Sequence, residues 1–253
     1  MIDNLVSIIM PAYRSAGYIA ESIVSVQQQT YQDWELLITD DCSPDNVGEV
    51  VRGFADSDPR VRYFRLERNS GPAIARNNSV ARASGRFIAF LDSDDCWMPE
   101  KLARQIEFME QRKIGFSFTE YQRMRPDGSL YPFVNSCPDQ VFYRDILLDT
   151  CISTLTVMLD RKLVGDFSLT PGWGYDDYVL WLDILRRGGA AHCLQENLAR
   201  YRVMEQSVSS NKLRAARWVW NIYRRHENFG VLPSAWYLAN YAKNAVFKRI
   251  GVV

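Results

Sequence analysis

The sequence predicts an α/β protein built on a doubly wound, mostly parallel sheet. Three observations predict it. Short apolar runs alternate with amphipathic stretches from the N-terminus to about residue 115. Most of those apolar runs end on proline, aspartate or other turn-forming residues. The 253 residues, 47% apolar and 24% charged, suit one large globular domain, with or without a smaller appendage.

"LVSIIMPAY" (5–13) reads as a buried strand ending at Pro11. "GYIAESIVSVQQQ" (17–29) places Ile19, Ile23 and Val26 at helical spacing. "DWELLITD" (33–40) is a second buried strand, closed by the turn chemistry of "DDCSPDN". A short helix over "NVGEVVRGFA" follows, and "VRYFRLE" (61–67) alternates as an edge strand does. "GPAIARNNSVARAS" (71–84) is a helix opened by Pro72 and closed by Gly85. "RFIAFLD" (86–92) is another buried strand and "PEKLARQIEFMEQRK" (99–113) an amphipathic helix. "IGFSFTEYQRM" and "STLTVMLD" (153–160) are strands, and "SLYPFVNSCPDQ" between them is a loop. "DDYVLWLDILRRGG" (176–189) has acids in its first turn, bases in its last and glycines after, so it is a helix. The last ~40 residues read as two helices joined at "NFGVLPS".

Ligands of such sheets bind outside the carboxyl ends of the strands. That rule gathers Pro11, Ala12 and Tyr13, Asp40 and Asp41, and Asp92, Asp94 and Asp95 along one edge. "LDSDDCWMPE" (91–100) packs three aspartates into four positions. Carboxylates that close repel one another and suit a hard divalent cation such as Mg²⁺ or Mn²⁺; a solvated acidic turn is the alternative. With Asp92 first, a calcium loop would need Gly at Trp97 and Glu at Ala103, which excludes an EF-hand. GxGxxG, GxxxxGK[ST], GxSxG and HExxH are absent, which removes the usual signals of dinucleotide, P-loop, serine-hydrolase and zincin chemistry. His192 and His226 are the only histidines, too few for a histidine-rich metal site. The five cysteines form no CxxC, and their odd number suggests free thiols in the cytoplasm. No apolar run approaches the ~18 residues of a membrane span. Net charge is zero, but residues 212–253 hold eight Lys or Arg against one Glu.

The ordered set "VSIIMPAYRSAGYIAESIVSVQQQTYQDWELLITDDCSPD", then "RNSGPAIARNNSVARASGRFIAFLDSDDCWMPEKL", resembles the family-2 inverting glycosyltransferases with the GT-A fold. The likeness is strong to about residue 115 and continues through "LTVMLDRKLVGDF", "YDDYVLWLDIL" and "YRVMEQSVS" to about 210. It is greatest to the bacterial enzymes of surface polysaccharides such as O-antigen and capsule. The resemblance implies a GT-A (Rossmann-like) doubly wound mixed sheet. Residues 1–210 would form the catalytic domain, with a nucleotide-sugar half to 98 and an acceptor half from 99, and 211–253 a C-terminal helical extension.

It also implies roles. Pro11, Ala12 and Tyr13 would line the base pocket, and Asp41 would accept from uracil N3–H. Arg76 would lie near the nucleotide or diphosphate. Asp92 and Asp94 would be the DxD pair, with Asp94, helped by Asp95, holding Mn²⁺ or Mg²⁺ and Asp92 nearer the ribose or sugar. The family's Glu-Asp pair reads Asp176-Asp177 here; Asp177 would be the general base and Asp176 would help to bind the acceptor. Met204 stands where many relatives carry a histidine, and a thioether is a poor ligand for a hard cation. The reaction implied is hexosyl transfer from a UDP-sugar, UDP-glucose or UDP-galactose, to a glycan or lipid-linked glycan. The basic aromatic helices of the tail would either meet an anionic membrane surface or pack onto the catalytic domain, and no nucleic-acid partner is expected. A nucleotidyltransferase of similar fold would carry a richer Gly, Arg and Lys stretch than "PAYRSAGYI"; a non-catalytic binding module would have no use for both Asp94 and Asp177.

Overall fold

The computed structural model of the chain describes residues 1–204 and 212–250, with the side chains of 245–250 left aside. Ser207–Ser209, expected to carry the end of the family likeness, and Gly251–Val253 lie outside the described residues, as do the side chains of Phe247, Lys248 and Arg249.

Four strands open the fold: β1 (Ile2–Ala12), β2 (Trp34–Asp40), β3 (Val61–Arg65) and β4 (Gly85–Phe90). They lie in the order β3-β2-β1-β4, all parallel, because a helical crossover joins each to the next in the chain. The crossovers are α1 (Ile19–Gln27), α2 (Val47–Ala55) and α3 (Pro72–Val80). The alternation along β1 decides the layers. Ile8 and Met10 face α1 and α2 in one core, and Ile9 faces Ala73 of α3 in the other.

The second half completes the same sheet. After β5 (Cys96–Trp97) and α4 (Lys101–Arg112) come β6 (Phe116–Met124), β7 (Leu130–Asn135), β8 (Gln140–Val141) and α5 (Tyr143–Ile146). Then follow β9 (Met158–Asp160), α6 (Arg161–Val164), α7 (Asp176–Arg186) and β10 (Ala191–Arg202). β9 runs antiparallel between β4 and β6, so the ten-stranded sheet is mixed. Arg86 on β4 grips the buried Asp160 of β9, with Nη2–Oδ2 at 2.6 Å. α4 reaches under this seam: Gln105 Nε2 donates to Ser117 Oγ and to the Thr156 carbonyl. Its neighbour Lys101 is wholly buried, with Nζ on Gln105 Oε1 at 2.7 Å and over the Trp97 ring. Burial alone pushes that amine down to about 7.

Several elements differ from expectation. The helix from residue 71 stops at Val80, not at Gly85. Gly85 instead opens β4, where a Cβ would overlap the Leu5 carbonyl. Half of the loop expected over 129–140 is β7, a mostly exposed strand, and Pro132 within it gave the segment the look of a loop. The strand expected over 153–160 is cut to Met158–Asp160 by a 3₁₀ turn at Thr154–Thr156. β10 is unforeseen. Its register shifts between Leu194 and Ala199, and that irregularity breaks the period of two.

The tail forms α8 (Lys212–Asn221), which runs on through a π-helical turn (Ile222–His226), and then α9 (Val231–Ile250). Val219, Ile222 and Tyr223 are buried in the core beside α7. Among the described residues no helix is long and apolar enough to cross a membrane.

Candidate active site

The carboxyl ends of β1 and β2 meet directly, the Asp41 N–H donating to the Ala12 carbonyl at 2.9 Å. Pro11 and Ala12 close β1, and Tyr13 just beyond is exposed. Asp40 is structural: it accepts from Ser43 N at 2.7 Å and from the Tyr63 hydroxyl at 2.6 Å. Asp41 Oδ1 and Oδ2 accept from the N–H groups of Ser70 and Gly71 at 2.7 and 2.8 Å. Gly71 sits at φ +92°, which suits glycine, and its turn starts α3. Asp41 therefore ties the β2 turn to the entrance of the helix that carries Arg76. Each of its oxygens retains a lone pair for a further donor.

Arg76 is buried and ion-paired with Asp92. Burial disfavours its charge, but Asp92, Asp177 and Asp176 together outweigh it and raise the pKa. Its Nε has no hydrogen-bond partner, so the guanidinium retains donor capacity. Burial first and the Asp92 charge second push Asp94 up to about 6. Asp95 is held well above the carboxylate range by burial, then by Asp94 and Asp92. One Asp95 oxygen accepts from Arg202 N at 2.7 Å; Oδ2 is buried without a partner. Arg202 is a clamp. It donates to the Asp94 carbonyl at 2.8 Å and to that of Pro126 at 3.1 Å, and pairs with Glu21.

This donor set fits a hard divalent ion: oxygens crowd together, two of the three carboxyls resist ionising alone, and one buried oxygen lacks a partner. Among the described residues no three His, Cys, Asp or Glu side chains converge as a ready-made cage. The fit is therefore to an ion that takes one or two carboxylates and completes its shell from phosphate and water.

Beside Asp92 opens a cavity of about 310 Å³. Its walls come from β6 (Tyr121, Arg123), the 146–155 segment, α7 (Asp177, Tyr178, Trp181), Tyr201 of β10 and Tyr241 of α9. Asp177 stands at the start of α7 and accepts from the Thr154 hydroxyl, which the 3₁₀ turn presents. Of the expected site residues, the structure brings Asp92 and Asp177 into this cavity. Pro11, Ala12, Tyr13 and Asp41 lie along the strand ends instead. Asp176 accepts from Trp173 N at 2.8 Å and so holds the turn before α7; its pKa is raised, chiefly by burial.

The tail finishes this side. Trp218 of α8 packs edge-on against Tyr175, centroids 5.4 Å apart, and covers Gly174 so closely that a Cβ there would overlap the indole. Tyr241 lines the cavity beside Tyr175. Asn244 Nδ2 donates to the Leu148 carbonyl at 3.1 Å. Sequence reasoning missed Thr154, Tyr121 and Arg123; the spacing of 121 and 123 on a strand was the available signal.

A carboxylate-rich strand-end site joined to an aromatic cavity that holds two carboxylates is the equipment of a sugar-transferring enzyme, and the relatives of the chain agree. The model for glycosyl transferase family 2 matches residues 7–163, and the chain belongs to that family. TuaG of Bacillus subtilis (strain 168), assigned to teichuronic acid biosynthesis as a glycosyltransferase, is 42% identical over 97% of this chain and 98% of its own length. The Escherichia coli UDP-Glc:α-D-GlcNAc-diphosphoundecaprenol β-1,3-glucosyltransferase WfgD is 41% identical over 95% of this chain and 93% of its own. The crystal structure of Staphylococcus aureus TarS 1–349 in complex with UDP-GlcNAc superposes with a TM-score of 0.71 at 21% identity, covering 94% of this chain and 71% of that one. That likeness shows the GT-A fold.

Proposed function

We propose that the chain is an inverting, metal-dependent hexosyltransferase of surface-polysaccharide synthesis. It takes a UDP-hexose, glucose or galactose, and extends a sugar carried on a polyprenyl diphosphate through a β-linkage. The observation that carries this reading is the shared cavity: Asp92 reaches it from the strand ends and Asp177 from α7. The 41% identity to an enzyme named for UDP-glucose and a diphosphate-linked GlcNAc supports the choice of substrates.

Tyr13, Pro11, Ala12 and Asp41 would receive the uracil, and Arg76, through Asp92, would orient the donor sugar. Asp94, with Asp95, would hold Mn²⁺ or Mg²⁺, whose chemistry is to neutralise charge on the leaving diphosphate. Asp177 takes the proton of the acceptor hydroxyl as its oxygen bonds to the anomeric carbon from the face opposite the diphosphate. The bond from that carbon to the phosphate oxygen breaks, and UDP leaves. Thr154 fixes the carboxylate that does this. Asp176 supports the acceptor side through the turn it holds.

A station at the inner face of the cytoplasmic membrane suits a lipid-linked acceptor. Leu213, Val231, Leu232 and Trp236 are exposed on α8 and α9, next to helices rich in Lys and Arg. Co-flotation with anionic liposomes at low salt tests that part. Transfer itself is tested with UDP-glucose or UDP-galactose, Mn²⁺ and a synthetic GlcNAc-diphosphate lipid, read as UDP release. Release that rises with the acceptor supports the reading; no release and no UDP binding overturns it.

A further inference from the structure

The cavity holds two carboxylates and one guanidinium. The carboxylates are both engaged, Asp92 by Arg76 and Asp177 by Thr154. Arg123 is different. It stands two residues from Tyr121 on β6, so both side chains leave one face of the sheet. Opposite it in parallel register is Tyr201 of β10, and all three line the cavity. It lies beside the Tyr121 side chain, and it forms no ion pair among the described residues. The neighbouring arginines are spent on structure: Arg125 donates to Ser129 and the Leu130 carbonyl, and Arg202 clamps the aspartate loop. A guanidinium carries five donors in a planar fork that matches phosphate, and a phenol satisfies few of them. A half-buried cation so placed calls for an anion.

Resting on the transfer reading above, we propose that Arg123 is a specificity residue that reads the diphosphate of the acceptor. Two diphosphates enter such a reaction. The donor's belongs with Asp94 and Asp95, neither of which lines the cavity. The cavity, at about 310 Å³, is at the small end of ligand pockets (~300–1,000 Å³), room for a sugar ring and not for a nucleotide-sugar. The sugar whose hydroxyl meets Asp177 carries its own diphosphate one ring away, and Arg123 is the cation on that wall.

The test compares the parent with Arg123→Gln and Arg123→Lys. Three measurements are made: kcat/KM for a GlcNAc-diphosphate lipid, kcat/KM for a neutral alkyl glycoside of GlcNAc, and UDP affinity with Mn²⁺. The expected result is that Arg123→Gln lowers the preference for the diphosphate acceptor roughly ten-fold or more, the range of a hydrogen bond to a charged group. Arg123→Lys, which keeps the charge without the fork, falls between, and UDP affinity holds. An equal loss with both acceptors makes Arg123 a mere wall and overturns the proposal. A loss of UDP affinity assigns it to the donor's diphosphate and overturns it too. If the parent transfers and the preference survives in Arg123→Gln, this inference alone falls. If the parent neither releases UDP nor binds the diphosphate lipid, the transfer reading falls and takes this one with it.

Discussion

The strand-end edge and the aromatic cavity, the proposed donor and acceptor sites, are built in opposite ways. The strand-end edge is assembled from neighbours: a backbone hydrogen bond joins Asp41 to Ala12 on the adjacent parallel strand, and the Asp41 carboxylate accepts from the N–H groups of Ser70 and Gly71. The cavity is assembled from distant pieces, from Asp92 to Tyr241, and its wall is completed by the tail. A strand-end site comes with the fold, whereas the cavity exists only once the second half and the tail have docked. Damage to one side should therefore leave the other measurable.

Asp94→Ala should break the donor side most severely. Transfer is expected to be lost, and UDP affinity should no longer respond to Mn²⁺; an Mn²⁺ response like the parent's in isothermal titration would remove Asp94 from the ion. Asp177→Asn should do the reverse. It retains size and capping ability but takes no proton at neutral pH, so turnover should fall ~10²–10⁴ while UDP-sugar affinity stays near normal. Activity within a few-fold of the parent would transfer the base to another group, with Asp176 first in line. Gly174→Ala tests whether the tail sets the acceptor side. It forces a side chain into φ +81° under Trp218, at a cost of ~1–3 kcal/mol. The melting temperature and kcat should drop and UDP affinity should persist; no change in any of the three would show that the Trp218 contact is idle.

The smallest effect concerns the seam. Lys101 loses its proton near pH 7 in the folded chain, against an ordinary 10.5 when unfolded. Between those values the unfolded state binds the extra proton, so stability should rise with pH by up to ~1.4 kcal/mol per unit. Below pH 7 both states are protonated and this contribution is flat. Lys101→Met should remove the slope in urea melts taken from pH 7 to 9, and a slope equal to the parent's would show that Lys101 does not cause it.

The same contrast explains what could be read from the chain. Asp41, Asp92 and Asp94 were legible because each follows a buried apolar run, and a run that ends in acids announces a strand end. Asp177 was legible as an acid at the start of an amphipathic stretch, which by itself suits a helix cap; its role as a base was implied only by the family resemblance. Arg123 and Thr154 were not. Arg123 is one of several arginines on an ordinary strand, and Thr154 owes its position to a 3₁₀ turn inside a sequence that reads as β. β10 was lost because its irregular register hides the alternation. The tail's aromatic residues were visible, but which of them pack inward depends on a partner surface no local pattern encodes. Tyr223 and Tyr241 settle against the domain, while Trp236 stays exposed.

The place of β9 has a consequence for synthesis. Its three residues cover the edge of β4, yet they follow it by about 70 positions. At ~5–20 residues per second, a ribosome leaves that edge and its apolar flank open for roughly 4–14 s. An open edge of this kind invites pairing with another chain. The nascent protein should therefore depend on holdase chaperones in that interval, and a slow codon run placed between residues 90 and 158 should lower its soluble yield more than the same run placed after 160.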